Sequence, residues 1–161
     1  MNILIANRQR TKRIDTRLLK AITASILAER GIRAGALEIN LLGATGMAAL
    51  NETFLQHEGS TDVITFDYSE KRNAATKTQT ELCGEIFISV DDAIRQAKEF
   101  RTRWEAEVAR YIVHGILHLM GHDDLQPPAR RGMKREENRL MRQLEKKFSL
   151  AQIGRQPKLS R

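Results

Sequence analysis

The sequence predicts an α+β domain, a small mixed sheet of about four strands packed with about five helices. Four short β-rich segments lie before Val90, only helical spacings of apolar residues follow it, and the 161-residue length suits one buried core. Asn2–Asn7 reads as the first strand. A helix over Thr16–Arg30 carries Leu18, Leu19, Ile22, Ile26 and Leu27 at helical spacing and stops at Gly31. Ala36–Leu42 is the second strand, and Thr45 is placed to cap a helix over Gly46–Gln56 that turns Met47, Leu50 and Phe54 inward. The turn Gly59-Ser60-Thr61 introduces a third strand, Asp62–Phe66. Polar Tyr68–Glu81 shows no periodicity and reads as a loop, and Leu82–Val90 is the fourth strand. Ser89 or Asp91 caps a helix reaching Phe100. A longer helix over Arg103–Met120 carries a stripe of Trp104, Val108, Tyr111, Ile112 and Leu119, and Gly121 ends it. Pro127 and Pro128 start a last helix, Ala129–Phe148, with Met133, Leu140, Met141 and Leu144 on one side and a dense basic set on the other. Residues 1–150 thus form one domain, and the basic tail 151–161 is expected to be disordered.

With 41% hydrophobic and 29% charged residues the composition is that of a folded protein. No apolar run approaches the roughly 18 residues needed to cross a bilayer. The N-terminus turns basic before it could form a secretory signal's apolar core of about 7–15 residues, so a cytoplasmic protein is expected. The lone cysteine, Cys83, excludes an internal disulfide and any site of several thiolates, and reads as a small buried hydrophobe. The net charge of +7 is segregated: residues 1–33 and 129–161 together carry +14, and the middle of the chain carries −7. Such basic ends attract a polyanion through counterion release, which makes nucleic acid or ribosome the natural partner class.

Three of the four histidines fall within nine residues, in His114-Gly-Ile-Leu-His118-Leu-Met-Gly-His122-Asp123-Asp124. Positions four apart lie on one helical face, so His114 and His118 can direct two imidazoles at one ion. A third ligand further up the helix would recede by about 5.4 Å per turn, so the chain must double back, which Gly121 permits. His122, Asp123 and Asp124 all carry suitable donors. A third ligand six residues after the second histidine, with a Gly three after it, matches the helix–turn arrangement of metzincins and points to Asp124, with His122 the alternative. Three protein ligands leave a position at which zinc can activate water. In zinc proteases a Glu general base follows the first histidine; Gly115 stands there, which speaks against peptidase chemistry and leaves phosphodiester cleavage as the better match to the basic ends.

These residues, with Thr61-Asp-Val-Ile-Thr-Phe66 and Leu82-Cys-Gly-Glu-Ile-Phe-Ile-Ser89, resemble the HGxLHLxGYDH, TDVLSF and LGDIxIS motifs of the YbeY family of bacterial endoribonucleases, in the same order and at similar separations. The resemblance implies a zincin-like α+β fold and one bound zinc ion. It also implies a single-strand-specific endoribonuclease that acts on the small ribosomal subunit in 16S rRNA 3′-end maturation and ribosome quality control. Carried over by position, it makes His114 and His118 the first two zinc ligands. The third position, usually His, is Asp124 here; its negative charge makes a weaker Lewis acid of the ion. A catalytic Arg common in the family, after the aromatic of Asn51-Glu-Thr-Phe-Leu-Gln-His57, is replaced by Leu55. Arg101, Arg103 and Arg110 are candidates to hold the phosphate in its place. His57 reads as a polar helix end, and Thr61 and Asp62 as residues shaping a turn or the cleft. The rival readings are a ribosome- or RNA-binding assembly factor with a structural metal and no chemistry of its own, and, less favoured, a metallopeptidase.

Overall fold

The computed structural model describes residues 1–55, 61–69 and 80–155. Its elements follow in the order β1 (Asn2–Asn7), α1 (Thr16–Glu29), β2 (Ala34–Leu42), α2 (Ala44–Leu55), β3 (Val63–Asp67), β4 (Glu81–Ser89), α3 (Val90–Phe100), α4 (Trp104–Leu119), α5 (Pro127–Lys147), and a 3₁₀ turn at Leu150–Gly154. The sheet runs β1-β2-β4-β3, with β1, β2 and β4 parallel and β3 antiparallel to β4. The expected fold class and mixed sheet are therefore present, with element limits shifted by a residue or two at most helix and strand ends.

Alternation along the strands sends Leu37, Ile39 and Leu41 of β2 and Leu82, Ile86 and Ile88 of β4 to one face, all buried. There they meet Leu19, Ile22 and Ile26 of α1 and Val108, Ile112 and Ile116 of α4 in one core. The helix α4 lies tightly on β4: a Cβ at Gly115 would stand 2.8 Å from Cδ1 of Ile86. Position 115 thus faces the sheet, where the Glu of a zinc protease would find neither room nor water. No helix among the described residues is long and apolar enough to cross a membrane.

Four local expectations are corrected. Phe54 is 61% exposed, because α2 turns Met47 and Asn51 to the interior and leaves Phe54 edge-on to Phe66 at 5.7 Å. Thr45 lies within α2 and does not cap it; the first N–H, of Ala44, donates instead to Oδ2 of Asp91 at 2.7 Å. Of the two caps expected for α3, Ser89 is the one present, accepting from the Asp92 N–H. Residues 151–155 of the tail pack on the domain, since Ile153 is fully buried and its carbonyl accepts from the Asp15 N–H at 2.8 Å. Leu150 and Ile153 make too short an apolar pair to show periodicity in a polar stretch. Cys83 is half-buried. His57, most of the Tyr68–Glu81 loop and the tail beyond Arg155 lie outside the described residues.

Candidate metal centre

The centre is assembled where α4 ends. His114 and His118, one turn apart on its last turns, bring their Nε2 atoms to 3.0 Å with the rings nearly perpendicular at 79°. Gly121 then adopts φ 96°, a left-handed conformation open to glycine, and its N–H donates to the His118 carbonyl while that of His122 donates to the Leu117 carbonyl. The chain thereby folds back, and Oδ2 of Asp124 comes to 3.6 Å from Nε2 of His118 and 3.9 Å from Nε2 of His114. Donors bound at about 2.0–2.2 Å around a tetrahedral zinc ion lie roughly 3.3–3.6 Å apart, and the three measured separations bracket that range. His114, His118 and Asp124 form the group among the described residues that could hold a metal ion.

The hydrogen bonds around the ring nitrogens strengthen the fit. Nδ1 of His114 lies 3.0 Å from Oε2 of Glu137, and Nδ1 of His118 lies 3.1 Å from the carbonyl of His122. Both oxygens only accept, so both Nδ1 atoms carry protons and both Nε2 atoms present lone pairs. Two lone pairs facing each other at this distance repel unless a cation lies with them. The donor chemistry therefore suits a divalent ion such as zinc.

Glu137 is the site residue that reading the sequence missed. It sits on α5 with 4% of its surface exposed and also accepts from Nη1 of Arg110 at 2.7 Å. Burial pushes its carboxyl up, but hydrogen bonds from His114 and Arg110 and the charge of Lys134 outweigh this and hold it at about 2. The other two candidates for third ligand point away. The His122 ring approaches Nη2 of Arg30 at 3.4 Å, and burial, then the Arg30 charge, lowers its pKa. The Asp123 carboxylate accepts from the Leu125 N–H in a local turn.

A cleft of about 490 Å³ opens from His114 and Asp124, bounded by Asp62, Phe100, Arg130 and Lys134. A smaller continuation reaches Thr61 and His118. Of the three arginines expected to hold phosphate, Arg110 lines the cleft, its guanidinium already bonded to Glu137 and to Oδ1 of Asn138 at 2.9 Å. Arg101 and Arg103 are exposed, the first at the C-terminal cap of α3 and the second at the N-terminal cap of α4, and neither lines the cleft. Besides Arg110, the cations that line it are Arg130, whose Nε donates to the Asp124 carbonyl at 3.0 Å, and Lys134. Phe100 is 66% exposed at the rim. The Tyr111 hydroxyl is buried below, without a hydrogen-bond partner among the described residues, and burial raises its pKa. Leu55 ends α2.

An α+β domain with a His-His-Asp group able to hold a metal ion at a helix end, beside a cleft edged by Arg130 and Lys134, defines the class: a protein with the donors of a metal centre and a surface suited to an anionic ligand. The sequence profile described as Endoribonuclease YbeY matches residues 4–145. Over 142 residues the chain is 33% identical to the Endoribonuclease YbeY of Chlorobium phaeovibrioides, spanning 88% of this chain and 90% of that protein. It is 35% identical over 153 residues to the Endoribonuclease YbeY of Carboxydothermus hydrogenoformans, spanning 93% and 96%. The fold is similar to a solution structure of a Thermotoga maritima protein, with a TM-score of 0.66 at 20% identity and 99% of each chain covered. The chain belongs to the endoribonuclease YbeY family.

Proposed function

We propose that this protein is a zinc-dependent, single-strand-specific endoribonuclease that acts in the cytoplasm on the small ribosomal subunit, in 16S rRNA 3′-end maturation and ribosome quality control. The observation that carries the reading is the convergence of His114, His118 and Asp124, with the carboxylate of Glu137 behind the first of them, on a cleft rimmed by Arg130 and Lys134. Family membership supplies the substrate class.

Each side chain has a defined part. The imidazoles of His114 and His118, oriented by Glu137 and the His122 carbonyl, and the carboxylate of Asp124 would hold one zinc ion. Bound zinc supplies Lewis acidity to water and to the scissile phosphoryl group. Arg130 and Lys134 neutralise the charge that gathers on the phosphoryl oxygens, a part the family's usual arginine, replaced here by Leu55, does not play. Arg110 helps indirectly, by fixing Glu137. Phe100 offers a face on which an unpaired base can stack, which favours single-stranded RNA over a duplex whose bases are already stacked. Position 115 offers no general base for peptide hydrolysis.

The test is cleavage of a 3′-extended 16S rRNA precursor, single-stranded or annealed, by zinc-loaded protein and by His118→Ala. Cutting confined to the single-stranded form and lost with His118→Ala is expected. Tight binding of the precursor without cutting would replace this reading with that of an RNA-binding assembly factor.

A further inference from the structure

On the other side of the turn at residues 121–124 from the metal centre lies a second groove, of about 620 Å³. It is formed between the end of α1 and α5, and Arg30, Arg135, Arg139 and Arg142 converge on it. We propose that this arginine groove is a phosphodiester-binding track that holds the RNA strand next to the scissile segment. The inference rests on the endoribonuclease reading and adds to it where the substrate lies.

Four features carry it. Arg135, Arg139 and Arg142 stand at i, i+4 and i+7 on α5, so they form one row about 10 Å long, enough for successive phosphates of an extended strand. Two guanidinium groups are fixed in advance: Glu136 accepts from Nη1 of Arg30 at 2.9 Å and from Nη2 of Arg139 at 2.6 Å. Arg135 and Arg142 are exposed and form no ion pair with a described residue, so their charge is open to a ligand. The four arginines face only Glu136 and Asp123 in the groove lining, which leaves it net positive. Finally, the groove adjoins the cleft: Met133 lines both, and Arg130 of the cleft precedes it on the same helix.

The lining also decides the kind of partner. A protein interface is expected to centre on an aromatic or aliphatic anchor. Here the sole large apolar side chain in the lining, Met133, is 2% exposed, and four of the ten lining residues are arginines. A polyanion that binds through its backbone meets those terms, and single strands are held by charged grooves together with stacking aromatics, a part open to Phe100 in the adjoining cleft.

The experiment is fluorescence anisotropy of an unstructured single-stranded RNA 12-mer, titrated with zinc-loaded protein across a series of KCl concentrations. The groove variant is Arg135→Gln/Arg142→Gln. A control variant of equal charge, Arg17→Gln/Lys20→Gln, alters exposed positions of α1 outside the groove. Losing two phosphate contacts lowers the slope of log affinity against log salt by about 1.4, a loss of about 25-fold at 0.1 M salt if affinity at 1 M is unchanged. The groove variant is expected to show that loss with its zinc content intact, and the control to change by less than about threefold. Equal losses in both variants would assign the effect to overall charge and overturn the proposal. So would an unchanged groove variant, and an accompanying loss of binding to an acidic protein would give the groove to a protein partner. Wild-type protein that binds and cuts RNA while the groove variant matches it sinks this inference alone. Wild-type protein that neither binds nor cuts sinks the endoribonuclease reading beneath it.

Discussion

Replacing Glu137 by Gln keeps the size of the side chain and an oxygen able to accept from Nδ1 of His114, but removes the negative charge. In the native site that carboxylate is buried, 3.0 Å from Nδ1 of His114 and 2.7 Å from Nη1 of Arg110. Without the charge, the proton on Nδ1 is held less firmly, Nε2 becomes a poorer donor, and the amide can turn its NH₂ toward the ring and impose the wrong tautomer. Partners of this kind behind metal-binding histidines are worth 10–100-fold in affinity, or about 1.4–2.7 kcal/mol. Competition with a chromophoric chelator should therefore show a zinc Kd for Glu137→Gln raised by about 10–100-fold, with Glu137→Asp between it and wild type. Arg110 also loses its ion pair but keeps Asn138, so the metal-free variant should be destabilised by about 1–3 kcal/mol in urea. A Kd for Glu137→Gln within twofold of wild type would refute the argument that this carboxylate orients His114.

The depressed carboxyl of Glu137 makes the metal-free protein acid-sensitive. The stability it contributes is complete above the ordinary glutamate value of 4.5 and is lost as pH falls toward about 2, so the gap between wild type and Glu137→Gln in urea unfolding should narrow below pH 4.5. Gly115→Ala pushes a methyl group to 2.8 Å from Ile86 and should cost about 1–3 kcal/mol, lowering Tm by about 3–10 °C in a calorimetric scan. Ile153→Ala, which empties a fully buried position under the 3₁₀ turn, should cost about 2–5 kcal/mol by denaturant titration; a loss below about 0.5 kcal/mol would show that the turn does not dock in solution.

What the sequence made legible follows from how local each signal is. His114 and His118 are visible because their geometry is set by one turn of helix, and Asp124 because a Gly break and a residue count suffice to return the chain. Glu137 was missed because its partner lies 23 residues away on another helix. A signal for it does exist. Met133, Glu137, Leu140 and Leu144 fall on one helical stripe, and a carboxylate in a row of core residues requires a buried partner. Arg101 and Arg103 carry the right charge for a phosphate, but cap positions on α3 and α4 hold them at the surface. Phe54 illustrates the same limit, since helical spacing names a face of α2 but not how far the sheet beneath it extends. The basic set on α5 was legible as a whole, while its division into a cleft side with Arg130 and Lys134 and a groove side with Arg135, Arg139 and Arg142 depends on where α1 and the turn at residues 121–124 meet that helix.

The central claim is a three-donor metal centre with Asp124 as third ligand, and metal content by mass spectrometry tests it most directly. Wild type, Asp124→Ala and His122→Ala would each be purified, reconstituted with zinc and desalted. One equivalent of zinc in wild type and in His122→Ala, with little or none in Asp124→Ala, is the predicted result. A wild type that holds no zinc after reconstitution, or zinc lost with His122 and kept without Asp124, would contradict it.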